Sequence, residues 1–404
     1  MESGPFLGFE AHPLPKRRWP FLMKYTLVVV TVFVVSNLFF LTIPGSWSTY
    51  SDTVRTHTSR SAQKILEHDN LHDVYNDTLG FGKIFVVSLA ERTDKQDAIS
   101  MQARMTNISF DFIEGAVGSQ VSQKAQPHTM NRTVPEVGCW RSHLNAMQQM
   151  VRKRVRSALI FEDDADWDVG IKHQMLQVAR GSRWLLGNRK EAIPHSPYGD
   201  GWDVLWIGHC SAEPSNSRRW VIPKDPTVVP PGNRSYWFKP DMERWESAPE
   251  QDTQTRLLFD VGLGSCSAAW AVSLAGAEKI LYELSMSPFN DAIDMGVAQM
   301  CFQKTWNMRC IAPYPTIVGV SKPAGSVDRG SDIREDENMD GTAIRPTAES
   351  ERLVFSTRQN IPRFLAKEGT FESLFPDVTG QFMSMEDIGS AVGHGELTEL
   401  RPPA

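Results

Sequence analysis

The most constraining stretch of this chain runs from Ser157 to Asp168 and reads Ser-Ala-Leu-Ile-Phe-Glu-Asp-Asp-Ala-Asp-Trp-Asp. A short apolar run, Ala158–Phe161, breaks off into a cluster of carboxylates: Glu162, Asp163, Asp164, Asp166 and Asp168. This is the pattern of a buried strand delivering acids to its carboxyl end, which is where open α/β sheets bind ligands. Strand side chains alternate faces, so continued extended geometry points Glu162 and Asp164 the same way. Together they offer hard oxygen donors for Mg²⁺ or Mn²⁺. The same acids also suit a solvated turn or the N-cap of a following helix, and only their surroundings separate these alternatives.

A chain of 404 residues has room for one full α/β core with appendages. Its formal net charge of −6, without zinc-finger spacing or a basic-aromatic platform, argues against nucleic acid as a partner. Near the N-terminus, Tyr25–Ile43 is free of charge, and at about 1.5 Å per helical residue it approaches the roughly 30 Å of a bilayer core. Lys16, Arg17, Arg18 and Lys24 precede it, which predicts a single-pass type II signal anchor with the C-terminal portion in the lumen. A cleaved signal peptide has a shorter apolar region and a small-residue cleavage site, so the anchor is favoured. The expected organisation is a cytosolic tail over 1–23, the anchor over 24–44, a luminal stem over 45–80, a catalytic domain over 81–335 and an extension over 336–404. The expected location is the Golgi or ER membrane. Four sequons follow the anchor, at Asn76, Asn107, Asn131 and Asn233, as do all five cysteines, an odd number that leaves at least one unpaired in a monomer.

Along the presumptive domain, Ile84–Leu89 predicts a buried strand, with a helix starting near Arg92–Asp97 and another strand from Phe110. A helix is expected from about Pro135 through Arg154, where Leu144, Met147 and Val151 recur at helical spacing. Gly201–Gly208 predicts a further strand, and Ser211–Gln254, rich in Pro, Arg, Trp and Ser, a long loop. A small-residue strand then starts at Gly264, followed by helices over Leu274–Leu284 and from Asn290 to about Phe302. The last strand, from Ile311, contains prolines and is expected at an edge.

In this order, four segments resemble glycosyltransferase family 25, which includes bacterial lipooligosaccharide and animal procollagen galactosyltransferases. They are Val86-Val-Ser-Leu-Ala-Glu-Arg-Thr-Asp-Lys95, Gly138-Cys-Trp-Arg-Ser-His143, Leu159-Ile-Phe-Glu-Asp-Asp164 and Trp202-Asp-Val-Leu-Trp-Ile-Gly208. Ala269–Ala277, Ala292-Ile-Asp294, Tyr314-Pro315 and Ser331-Asp-Ile333 are similar to later family elements, so the resemblance covers roughly residues 83–333. It marks the chain as a fungal-type, type II membrane member. The fold it implies is α/β, with a GT-A-like nucleotide-sugar-binding domain behind an N-terminal transmembrane helix.

The activity the resemblance implies is metal-assisted transfer of a hexose, with galactose first in line, from a UDP-sugar to a glycan or glycoprotein acceptor. Mn²⁺ or Mg²⁺ is expected on Asp164, with Glu162 or Asp163 assisting. Ser88, Leu89, Arg92, Ser142, His143 and Asp163 are the expected donor-site residues. Ser88 stands where the family usually has Asn, and Lys95 where it often has a second Arg. Asp294 occupies the position of a functional family aspartate and is the expected base of an inverting displacement, with Asp291 beside it; either acid also suits a helix cap. His209 and Trp206 are placed beside the cleft, Trp206 more readily in core packing than stacked on sugar. Cys139 is expected in the core. The competing function is a non-catalytic, membrane-anchored carbohydrate-binding or scaffolding relative. A glycoside hydrolase would also use two carboxylates but finds no support in the resemblance, and an iron dioxygenase has no His-x-Asp candidate.

Overall fold

The computed structural model describes residues 69–187, 193–234, 237–333, 343–392 and 396–399. The expected tail, the anchor and the stem as far as residue 68 lie outside them. Among the described residues no helix is long and apolar enough to cross a membrane. The folded unit begins at Asp69, so residues 69–80, expected in the stem, form part of it. A 3₁₀ turn over Asn70–Tyr75 buries Val74, Leu79 is also fully buried, and Arg183 Nη1 reaches Asp69 Oδ1 at 2.8 Å. These apolar residues are too few and too widely spaced to register as an element in the sequence.

The α/β class is as expected. The first strands, β1 (Lys83–Ser88), β2 (Asp111–Glu114) and β3 (Ser157–Glu162), are parallel with β1 central. Helix α1 (Thr93–Met105) connects β1 to β2, and α2 (Val134–Lys153) precedes β3. The start of α2 follows from Thr133, Pro135 and Glu136: Glu136 Oε2 accepts the Thr133 backbone N–H at 3.1 Å, the return arm of a capping box. After β3 come the short β4 (Ala165–Trp167), helix α3 (Ile171–Leu185) and β5 (Val204–Gly208). Next are β6 (Ser211–Pro214), β7 (Arg218–Ile222), the long β8 (Arg256–Ser265) and β9 (Ala269–Ser273). Helices α4 (Leu274–Leu281) and α5 (Ile293–Gln303) lead to β10 (Cys310–Tyr314) and β11 (Val318–Lys322). Beyond them lie β12 (Glu349–Glu351) and β13 (Glu396–Glu399).

The main sheet has the order β13-β7-β8-β10-β5-β9-β3-β1-β2, with β6 joined to β8. Strand β9 runs antiparallel between β3 and β5, which makes the sheet mixed. Alternation along the strands sends side chains into two apolar layers. Phe85, Ala158 and Ile160 pack with Trp140, Leu144 and Met147 of α2 and with Val297 of α5. Ile84, Val86, Leu159 and Phe161 pack with Ile99 of α1 and with Met175, Val178 and Ala179 of α3. The result is a sheet covered by helices on both faces.

Two motif glycines are explained by close approach. A Cβ on Gly138 would lie 2.6 Å from the Ala116 carbonyl oxygen, and one on Gly208 would lie 2.5 Å from the Ala269 nitrogen. Both distances are shorter than any side chain tolerates, so glycine lets α2 and β5 pack against their neighbours.

Two expectations are corrected. Strand β10 is interior, between β5 and β8. Its pairing with β5 ends at Ile311, so Pro313 faces only one neighbouring strand, β8, and its missing N–H disrupts little. The segment expected as a loop over Ser211–Gln254 contains β6 and β7. Trp220, Val221 and Ile222 are buried in β7, a strand too short to stand out among the surrounding prolines. The extension expected to start at 336 also packs onto the domain: β12 pairs with β11, which pairs with β4, and Val354 and Phe355 form a third apolar cluster with Val169.

Candidate active site

The acids that end β3 meet a cavity of about 1010 Å³. Its walls include Glu162 and Asp164, Ser265–Ala268 after β8, Ala292–Met295 at the start of α5, Val320–Lys322 of β11, and Glu349–Arg352. Trp237 and Phe238 stand at its exposed side.

The three consecutive acids divide as strand alternation predicts. Glu162 and Asp164 line the cavity and Asp163 does not. Glu162 Oε1 accepts from Ser267 Oγ at 2.6 Å and meets His143 Nε2 at 3.1 Å. These bonds hold the Glu162 carboxyl below the usual range against the opposing effect of its burial. Asp163 Oδ2 instead accepts from Ser88 Oγ at 2.7 Å, and Lys95 Nζ lies 3.3 Å from its Oδ1.

Asp164 differs from both. Its Oδ1 is enclosed and has no hydrogen-bond partner. Burial, with Glu162 and Asp163 beside it, pushes its carboxyl up to about 7 despite Lys95. An enclosed carboxylate oxygen without a donor, next to a second carboxylate on the same cavity, fits a hard divalent cation better than it fits a solvated turn. The donor set is oxygen-rich, as Mn²⁺ and Mg²⁺ require.

Asp294 also faces the cavity, from the first turn of α5. Its Oδ2 accepts the Cys266 backbone N–H at 2.6 Å, while the N-cap position belongs to Ala292, so Asp294 does not cap the helix. Asp291 accepts from the Ala292 N–H at 2.8 Å and is not part of the cavity wall.

The other expected donor-site residues are tied up in structure. Arg92 pairs with Asp94 and Asp332 and donates to the Arg329 carbonyl. Lys95, buried, shares Asp332 with it. Ser142 donates to the Gly138 carbonyl and accepts the Ala116 N–H, both at 2.7 Å, which ties α2 to the loop after β2. Leu89 supplies its carbonyl to Gln96 Nε2 at 2.8 Å. His209 is buried with Nε2–H donating to the Pro313 carbonyl at 2.6 Å, and burial pushes it down to about 4. Trp206 is fully buried and donates to the Cys266 carbonyl at 2.7 Å, which is core packing. Cys139 packs against the apolar cluster, as expected, but is only half-buried and also opens onto the cavity.

Several supports gave no signal in the sequence. Cys210 is joined to Cys266, and Cys301 to Cys310, leaving Cys139 as the free thiol. Arg358 donates to the carbonyls of Asp163 (2.7 Å) and Ala165 (2.9 Å), one on each side of Asp164. Asp166 is buried and accepts from Gln102 Nε2 at 3.0 Å, from Ser350 Oγ at 2.7 Å and from Ser356 Oγ. Asp168 accepts backbone N–H groups of Gly170 and Phe355, both at 2.9 Å. Both acids have left the cavity, but into polar supports of the fold and not into solvent.

Acids gathered at the carboxyl end of a helix-covered mixed sheet, open to a large cavity, define an α/β domain with its ligand site at the strand ends. The comparisons with known proteins point to the same family as the motifs. Residues 81–181 match the model of glycosyltransferase family 25 (LPS biosynthesis protein), a segment running from β1 through β3 into α3. The chain is 22% identical to a glycosyltransferase 25 family member of Aedes aegypti over 46% of its own length and 30% of that protein's. It is 25% identical to the human inactive glycosyltransferase 25 family member 3 (50% of this chain, 29% of the relative). With human procollagen galactosyltransferase 2 it shares 21% identity (40% and 26%). Over these segments the chain is similar to members of family 25, and its matches span under a third of the length of these curated relatives.

Proposed function

We propose that this chain is a UDP-sugar-dependent hexosyltransferase of the GT-A kind, transferring galactose to a glycan or glycoprotein acceptor. The observation that carries this is Asp164: an enclosed carboxylate oxygen without a partner, beside Glu162, at the strand end where α/β sheets bind ligands. Galactose and the glycoprotein acceptor rest on the names of relatives, the procollagen galactosyltransferases.

Asp164 and Glu162 are the residues that would hold Mn²⁺ or Mg²⁺, which supplies positive charge to the donor diphosphate as the glycosidic bond breaks. Ser267 and His143 orient Glu162. Asp294, fixed through Oδ2 by the Cys266 N–H, is the base that takes the proton of the attacking acceptor hydroxyl with inversion. Asp163 is held by Ser88 and Lys95 beside Glu162 and Asp164. The two disulfides and the N-terminal apolar stretch support a type II protein of the Golgi or ER membrane with this domain in the lumen.

A nucleotide-sugar panel with Mn²⁺ and mass spectrometry of the products tests the proposal on the full chain. UDP-hexose consumption that disappears in Asp164→Ala is the expected result, and unchanged turnover in that variant would refute the site. A second function, as a non-catalytic carbohydrate-binding or scaffolding relative, is favoured by one observation: Arg92 and Lys95 are both paired to Asp332. Calorimetry separates the two, since no heat of UDP-hexose binding with Mn²⁺ present would select the second.

A further inference from the structure

The same cavity contains a group of donors with different chemistry. Cys139 and His143 lie four residues apart on α2 and so share one face of the helix. That face meets Glu162 at the end of β3. One ligand atom from each, the Cys139 sulfur, a His143 ring nitrogen and a Glu162 oxygen, all lie within 4.8 Å of one another. Cys139 and Glu162 both open onto the cavity, where Glu136, Asp164 and Asp294 add negative charge.

From this geometry we infer a second cation site, made by Cys139, His143 and Glu162 and suited to a borderline-soft divalent ion of the zinc class. Sulfur, imidazole and carboxylate are zinc's ordinary donors, and three protein ligands with a fourth position open to a cavity is the layout of an accessible site. Tetrahedral bonds of about 2.0–2.3 Å place donors about 3.5 Å apart. His143 Nε2 and Glu162 Oε1 are already 3.1 Å apart, so the required adjustment falls on the Cys139 side chain. A hard ion at Asp164 has no use for a thiolate, so the two sites sort ions by softness while sharing Glu162.

Protons balance in a simple way. On binding, the Cys139 thiol gives its proton to solvent, and the imidazole proton moves from Nε2 to Nδ1. Nδ1 has no hydrogen-bond partner, and a ligand histidine lacking that support loses about 10–100-fold in affinity. The site is therefore exchangeable and is emptied by a chelator.

Cobalt(II) titration of the full chain, after chelator treatment and without nucleotide, tests the inference. Four of the five cysteines are in disulfides, so a thiolate-to-cobalt charge-transfer band has one source, Cys139. The expected result is a band that saturates at one ion, is displaced by Zn²⁺ and is absent in Cys139→Ser at unchanged Tm. His143→Gln keeps a donor for Glu162 while removing the imidazole, and is expected to weaken cobalt binding at least tenfold. Asp164→Asn is expected to leave the band in place. No band in the folded wild-type chain would overturn the inference, as would a band retained in Cys139→Ser or lost in Asp164→Asn. None of these measurements uses a sugar donor, so a failed transferase assay leaves the result intact.

Discussion

Replacing Asp164 with asparagine is expected to stabilise the protein while abolishing its activity. In the folded chain the carboxyl titrates near 7, against 3.8 as the ordinary value. A raised acid pKa means that the folded state binds the proton more tightly than the unfolded state, so stability falls as pH rises from about 4 to about 7 and is then level. At about 1.4 kcal/mol per pH unit the full cost is about 4 kcal/mol, with about 3 kcal/mol of it between pH 5 and pH 8. Lys95, Glu162 and Asp163 are already included in that shift. Asparagine keeps the shape without the charge, although its buried amide still lacks partners. With about 2 °C per kcal/mol for a domain of this size, the Tm difference between Asp164→Asn and wild type should grow by about 5 °C from pH 5 to pH 8. Differential scanning fluorimetry of the full chain with a chelator measures it. Adding Mn²⁺ with UDP at pH 8 should narrow the gap by stabilising the wild type alone. A gap that is the same at both pH values would refute the account of Asp164, as would a variant that is the less stable at pH 8.

Asp294→Asn is expected to lower kcat at least a hundredfold with donor binding unchanged by calorimetry, since a general base contributes about 10²–10⁴-fold. Arg358→Met should destabilise the β3 turn by about 2–3 kcal/mol in denaturant titration, with partial recovery in Arg358→Lys, because two carbonyl acceptors lose a charged donor. Asp225→Ala leaves the buried Arg256 guanidinium without its 2.7 Å partner, and about 3–5 kcal/mol should be lost in the same titration. Cys210→Ser with Cys266→Ser should lower turnover more than donor affinity, since Cys266 holds Asp294 through its N–H; equal loss of both would point to general unfolding.

What could be read in advance was what repeats with a period. The apolar runs of β1, β3 and β5 and the helical spacing of α2 identify themselves, and alternation alone separated Glu162 and Asp164 from Asp163. Strand β7 has no such mark. Its Arg218-Arg-Trp-Val-Ile222 is apolar only at one end and lies among turn residues, so burial against β8 decides its structure. The interior place of β10 was hidden because the consequence of Pro313 depends on where the neighbour β5 stops pairing. The pairing of Arg92 with Asp332, far along the chain, has no mark in the sequence around either residue. Arg358, Ser350 and Ser356 reach the turn through hydrogen bonds, which have no sequence period.

The distance along the chain between Arg358 and the turn it holds bears on how the protein is made. Translation delivers the Asp163–Ala165 carbonyls and the Asp166 carboxylate long before their donors, which follow 190 or more residues later for Ser356, Arg358 and their acceptors. Until residue 358 is free of the ribosome, Asp166 Oδ1 can reach Gln102, but the Asp163 and Ala165 carbonyls lack their guanidinium donor. The acidic site is therefore expected to set late. A fragment cut where the family match ends should collect as a loosely packed species, and nascent chains shorter than about 360 residues should need chaperone protection that the finished domain does not.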